Sequence, residues 1–171
     1  MGIRRYTLVL LCFATWIGSG SAEPRRVIGE YRNPALGYSL VLPHGLKGFT
    51  GDQAEPERGV RVRLPSGDVI SVWGEPNSLE WSSPAEGIRQ ELSFEKCTHG
   101  PVEISPASVG SLKGAKGRLV CGHRALLVLL AFRPDGGPIY WLRLDTTSGN
   151  ERRGDTALSD IAAKFKLIPW Q

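Results

Sequence analysis

The chain has 171 residues, with 21 Lys and Arg against 17 Asp and Glu, a net charge of +4, and three cysteines. That length suits one domain once an N-terminal leader is set aside. Arg4 and Arg5 fall in that leader, which leaves 19 cations against 17 acids, so no nucleic-acid signature and no nucleic-acid partner is expected.

Residues 1–22 read as a secretory signal. Arg4 and Arg5 form a positive start, residues 6–17 are apolar, and Gly18-Ser19-Gly20-Ser21-Ala22 is a small-residue segment suited to cleavage after Ala22. The apolar stretch of about twelve residues falls short of the roughly twenty that span a bilayer. Cys12 is a poor lipidation site, because bulky Leu10 and Leu11 precede it where small residues are wanted. The expectation is a single α+β domain over 23–171, periplasmic or secreted, with no transmembrane segment after signal removal.

Residues 23–33 are polar and read as a lead-in. Tyr38-Ser39-Leu40-Val41-Leu42 alternates, with Tyr38, Leu40 and Leu42 on one face, and predicts a strand closed by Pro43. Residues 45–58, rich in glycine and charge, read as a loop, and His44 as a loop residue. Val60-Arg61-Val62-Arg63-Leu64 alternates cleanly, Pro65-Ser66-Gly67-Asp68 supplies a turn, and 69–73 returns as a partner strand. Arg61 and Arg63 form either an anion-binding stripe or, the preferred reading, a solvated strand face.

Ser83, Pro84 and Glu86 make the clearest helix start: a cap, a proline at the first helical position, and a capping-box glutamate. A helix is expected over 84–92, with Ala85, Ile88 and Leu92 on its apolar face and Trp81 packed on its first turn. A short strand is expected at 102–104, then small residues through 117. Three antiparallel strands follow at about 115–121, 125–133 and 138–145. Gly122-His123 suits a type II′ turn and Pro134–Gly137 a second one; a single strand bulged at Gly122 is the alternative. Leu126 to Leu130 are apolar on both sides, which requires a central strand covered on both faces. Residues 146–154 read as an exposed loop. Asp155 or Thr156 then caps a last helix bearing Leu158, Ile161, Ala162 and Phe165 at helical spacing, with Lys164 and Lys166 near its end and an extended tail at 167–170.

Loss of Cys12 with the leader leaves Cys97 and Cys121. In an oxidising compartment an even pair favours a disulfide, which would add about 3 kcal/mol by closing the loop between them. A second reading takes Cys97/His99 and Cys121/His123 as a Cys₂His₂ metal set or a thiol-dependent site, although the C-x-H spacing is tighter than a usual zinc knuckle. A third makes Cys121 a nucleophile with His123 or His99 as base. Nucleophile-elbow, P-loop, zincin and EF-hand motifs are all missing. Accordingly no catalytic, metal or cofactor-binding residue is assigned, and no cofactor is expected. Glu91 and Glu95 hint at a carboxylate pair but read better as a solvated helix face. Trp73, Trp81, Trp141 and Trp170 read as core and boundary residues rather than a ligand groove.

At 31–43, Tyr-Arg-Asn-Pro-Ala-Leu-Gly-Tyr-Ser-Leu-Val-Leu-Pro, the chain resembles the opening of Mog1/PsbP-like and DcrB-like bacterial proteins. An aromatic, an Asn and a Gly-Tyr-Ser strand ending at Pro carry the resemblance. Leu112, Gly114 and Gly117, and the Phe165-x-Leu167 tail, extend it. It implies an α/β/α sandwich around an antiparallel sheet, acting as a binding or assembly module rather than an enzyme. The expected partner is an envelope protein or small ligand of unknown identity.

Overall fold

The computed structural model describes residues 25–51, 59–95, 97 and 100–169. The signal read at 1–22, His99 and Trp170 lie outside the described residues.

The first strands are β1 (Arg25–Val27), β2 (Glu30–Asn33), β3 (Tyr38–Val41), β4 (Lys47–Thr50), β5 (Gly59–Arg63) and β6 (Val69–Glu75). Helix α1 (Pro84–Ser93) precedes β7 (Glu103–Val109), β8 (Leu112–Cys121), β9 (Arg124–Phe132) and β10 (Ile139–Thr147). Helix α2 (Glu151–Ala163) and β11 (Phe165–Leu167) close the described chain. Eight strands form an antiparallel sheet in the order β1-β4-β5-β6-β10-β9-β8-β7, and β11-β3-β2 form a second, small antiparallel sheet. The fold is α+β, as expected.

The strand β9 shows why the sheet sits between two layers. Leu127, Leu129 and Ala131 point to a core shared with Leu158 and Ile161 of α2 and with Tyr38, Leu40 and Phe165 of the small sheet. Leu126, Val128 and Leu130 point the other way, to a core with Ile88 and Leu92 of α1. Period-two alternation in an all-apolar strand thus serves two cores at once. The α/β/α expectation holds with one addition: the layer containing α2 is completed by the three-stranded sheet.

The start of α1 follows its sequence signal. Ser83 Oγ accepts from the Glu86 N–H at 3.3 Å, and Glu86 reaches back to the N–H of Ser82 at 2.8 Å, one residue earlier than a standard capping box. Trp81 packs on Gly87, where an added Cβ would stand 2.9 Å from its ring. The Gly122-His123 turn has a positive φ at Gly122 alone among its two loop residues, the pattern of a type II′ hairpin.

Several elements depart from the sequence reading. The polar lead-in holds two strands, β1 and β2, and the supposed loop at 45–58 contains β4. These strands lie at or near sheet margins, where backbone pairing rather than apolar patterning holds them. The strand β7 runs through Pro106, which sits on the edge strand beyond β8, a place where a missing N–H is tolerated. The strand β10 continues through Thr146 and Thr147, and α2 begins at Glu151 rather than at Asp155. Gly154, which reads as a loop residue, is buried inside α2 because a Cβ there would stand 2.5 Å from Leu144 Cδ2.

Candidate functional site

Helix α1 packs on β7, β8 and β9. The same face of the sheet continues past it across β10, β6, β5 and β4, and there the register lines up side chains of a different kind. Arg26, Phe49, Arg61, Ser71 and Arg143 stand opposite one another from β1 to β10. One step along, Gly59, Trp73 and Trp141 form a second row. Lys47, Arg63, Val69 and Asp145 form a third. The α1 flank and this open face enclose a groove of about 510 Å³, lined by Phe49, Arg61, Ser71, Trp73, Glu91, Arg143 and neighbouring residues.

The tryptophans divide between core and groove. Trp141 is fully buried, with its indole N–H donating to Glu75 at 2.7 Å. Trp73 lies parallel to it with ring centroids 5.8 Å apart, and Trp81 meets it edge-on at 5.6 Å. Trp73 is half-buried, packed on the edge of the α1-side core as a boundary residue, and it also lines the groove.

The wall nearest α1 is a closed ion-pair network. Arg143 donates to Glu91 at 2.9 Å and to Glu95 at 2.5 Å. Arg124 donates to Glu95 at 2.9 Å and also binds Asp145. The hydrogen bond to Asp145 holds the Arg124 guanidinium above its ordinary pKa, with the charges of Asp145 and Glu95 acting in the same direction against some desolvation. Glu91 and Glu95 are therefore anchors for α1 on the sheet, half-buried, rather than the solvated face expected of them. Two carboxylates at a helix C-terminus oppose its dipole, and the guanidiniums of Arg143 and Arg124 offset that.

The far side of the groove differs in charge. Arg61 is half-buried and lines it, whereas Arg63, Lys47 and Arg26 are exposed on the same face. The solvated-face reading holds for Arg63 and is corrected for Arg61. Register, which brings β4 and β6 alongside β5 and β10 next beyond β6, is the information that the local sequence lacked.

The cysteines sit just beyond the same C-terminal end of α1. Cys97 and Cys121 are joined, with Cα atoms 5.5 Å apart, inside the range that a disulfide bridges without backbone movement. The bond ties the segment after α1 to the end of β8 and leaves neither sulfur as a thiolate ligand or nucleophile. His123 occupies the β8–β9 turn, and its carbonyl accepts from the Ser148 N–H at 2.8 Å. His44 is exposed beside β3.

No family model and no curated protein matches the chain. Solved structures do. The solution structure of cyanobacterial PsbP (CyanoP) from Synechocystis sp. PCC 6803 matches with a TM-score of 0.56 at 15% identity, covering 88% of this chain and 95% of that one. LpqN, involved in cell envelope biogenesis of Mycobacterium tuberculosis, matches with a TM-score of 0.53 at 13% identity, covering 86% and 92%. Among the described residues, no helix is long and apolar enough to cross a membrane. The chain thus has a PsbP-like α+β fold.

Proposed function

We propose that this chain is an exported, non-enzymatic binding or assembly module, periplasmic or secreted, that docks an envelope component on the open half of the α1-side sheet face. The observation that carries this reading is the groove itself: half-buried Phe49 and Trp73 beside Arg61 and Ser71, left uncovered where α1 ends. A concave site with aromatic walls and a few polar groups is the usual form of a binding site. The Cys97–Cys121 bond accords with an oxidising compartment. No catalytic, metal or cofactor role is assigned to any residue in this reading.

Cross-linking in an envelope fraction, followed by affinity purification and mass spectrometry, tests it. Ser71 lies between Arg61 and Arg143 in the register, so Ser71→Tyr fills the groove without touching either core. The expected result is a cross-linked species captured by the wild type and lost in Ser71→Tyr at unchanged melting temperature. Equal capture by both proteins would overturn the assignment.

A further inference from the structure

Trp73 differs from the two tryptophans beside it. The indole N–H of Trp141 donates to Glu75 at 2.7 Å, and that of Trp81 to Gln90 at 2.6 Å. Among the described residues the N–H of Trp73 has no hydrogen-bond partner, although a tryptophan packed this far into a protein usually finds one. Nor is that N–H sealed in the core, so a ligand can reach it. The hydroxyl of Ser71, two residues earlier on the same face of β6, is in the same condition. Both residues line the groove. Trp141 stacks on Trp73 from β10, whereas on the other side of Trp73, in the same row, β5 presents Gly59, which has no side chain. One flank of the indole is therefore bare along the groove. Phe49, half-buried on β4, supplies a second ring in the row of Ser71.

Resting on the docking-face reading above, we propose that Trp73, Ser71 and Phe49 bind a proline-rich peptide segment of the partner in the polyproline II conformation. The polar groups left open here favour an acceptor: an indole N–H can only donate, and a serine hydroxyl donates readily. The carboxylates of Glu91 and Asp145, which also line the groove, already accept from Arg143 and Arg124. A proline-rich chain is the complement, because proline has no N–H and polyproline II makes no internal hydrogen bonds, which leaves its carbonyls free to accept. Its rigid pyrrolidine rings seat on aromatic side chains, as such segments do in other aromatic-lined grooves. A glycan, whose hydroxyls donate as well as accept, finds fewer open acceptors on this wall. The spacing agrees. Phe49 and Trp73 lie two strands and one row apart, about 9.6 Å across the sheet and about 6.7 Å along it, hence about 12 Å in all. At about 3.1 Å per residue, roughly four residues of polyproline II link the two rings.

Calorimetric titration of the protein with a synthetic decaproline peptide tests this, with a Gly-Ser decamer and a linear glucan hexasaccharide as parallel probes. Decaproline is expected to bind the wild type, with little dependence on salt because no charge pairs form, and the Gly-Ser decamer is not. Trp73→Phe keeps an aromatic ring but removes the indole N–H, and Ser71→Ala removes the hydroxyl. Each should weaken decaproline binding about fivefold, the loss of one neutral hydrogen bond. Ser71→Ala should do so at unchanged melting temperature, a separation that a merely structural role for Ser71 would not give. No decaproline binding to the wild type, undiminished binding in both variants, equal binding of the Gly-Ser decamer, or tighter binding of the glucan would each overturn the proposal. If Ser71→Tyr abolishes envelope capture while decaproline fails to bind, the ligand class alone is wrong and the docking face stands.

Discussion

Arg143, in the middle of β10, reaches Glu95 just beyond the end of α1, with Nη2 and Oε1 2.5 Å apart. The same guanidinium holds Glu91 one helical turn earlier. This clamp sets where α1 stops on the sheet, and therefore where the open face begins. All three side chains are partly exposed, which limits the strength of the pairs. A double-mutant cycle of Arg143→Met with Glu95→Gln should give a coupling of about 1 kcal/mol from denaturant unfolding. Additive effects would show that the clamp does not hold α1.

Gly117 on β8 lies beneath α1, where a Cβ would overlap Ile88 Cγ2 and stand 3.0 Å from Leu92 Cδ1. Both side chains are buried in the α1-side core and have no space to retreat. Gly117→Ala should therefore destabilise the protein by about 1–3 kcal/mol through overpacking, seen as a lower melting temperature. A neutral or stabilising result would mean that α1 sits farther from β8 than described.

The Cys97–Cys121 bond constrains 24 residues of sequence separation. On the chain-entropy estimate, Cys97→Ser with Cys121→Ser should cost about 3 kcal/mol of stability. Far-UV circular dichroism at low temperature should be unchanged, because Cys97 and Cys121 lie at the margin of the α1-side core, packed against its buried residues rather than among them. Free-thiol titration of the unfolded wild type should find the pair oxidised.

The ion pairs at the start of α2 make stability depend on acid. A hydrogen bond from Arg118 holds the Glu151 carboxyl below the usual glutamate range, aided by the charges of Arg118 and Lys116 against a small desolvation effect. A carboxylate with a depressed folded-state pKa contributes stability above its unfolded pKa and loses it as pH falls through the folded value. Unfolding free energy should thus decline as pH drops from about 5 towards 3. Glu151→Gln should flatten that decline, measured by urea denaturation across the range. An unchanged slope in the variant would remove Glu151 from the account.

Legibility in the sequence followed exposure. The β5–β6 hairpin showed itself because one face is wet, so Val60 and Val62 alternate with Arg61 and Arg63. The strand β9 showed itself for the opposite reason, being apolar on both sides. The strand β1 did not, since Arg25 and Arg26 are exposed and only backbone pairing to β4 defines it. Pro106 and Gly154 misled because both residues usually break structure. One sits on an edge strand, and the other makes room for Leu144. The open face was half legible. Arg61 and Arg63 stood out as a stripe, but their alignment with Lys47, Phe49, Ser71 and Arg143 depends on pairings between strands far apart in the chain.

Photo-crosslinking from two surface positions tests the docking face most directly. A photoreactive residue replaces Arg63 on the open face in one variant and Arg152 on the exposed side of α2 in another. Both are expressed in the native envelope. The account predicts a discrete partner adduct from position 63 and none from position 152. Adducts from position 152 alone would place the docking surface on the opposite side of the sheet and contradict the account.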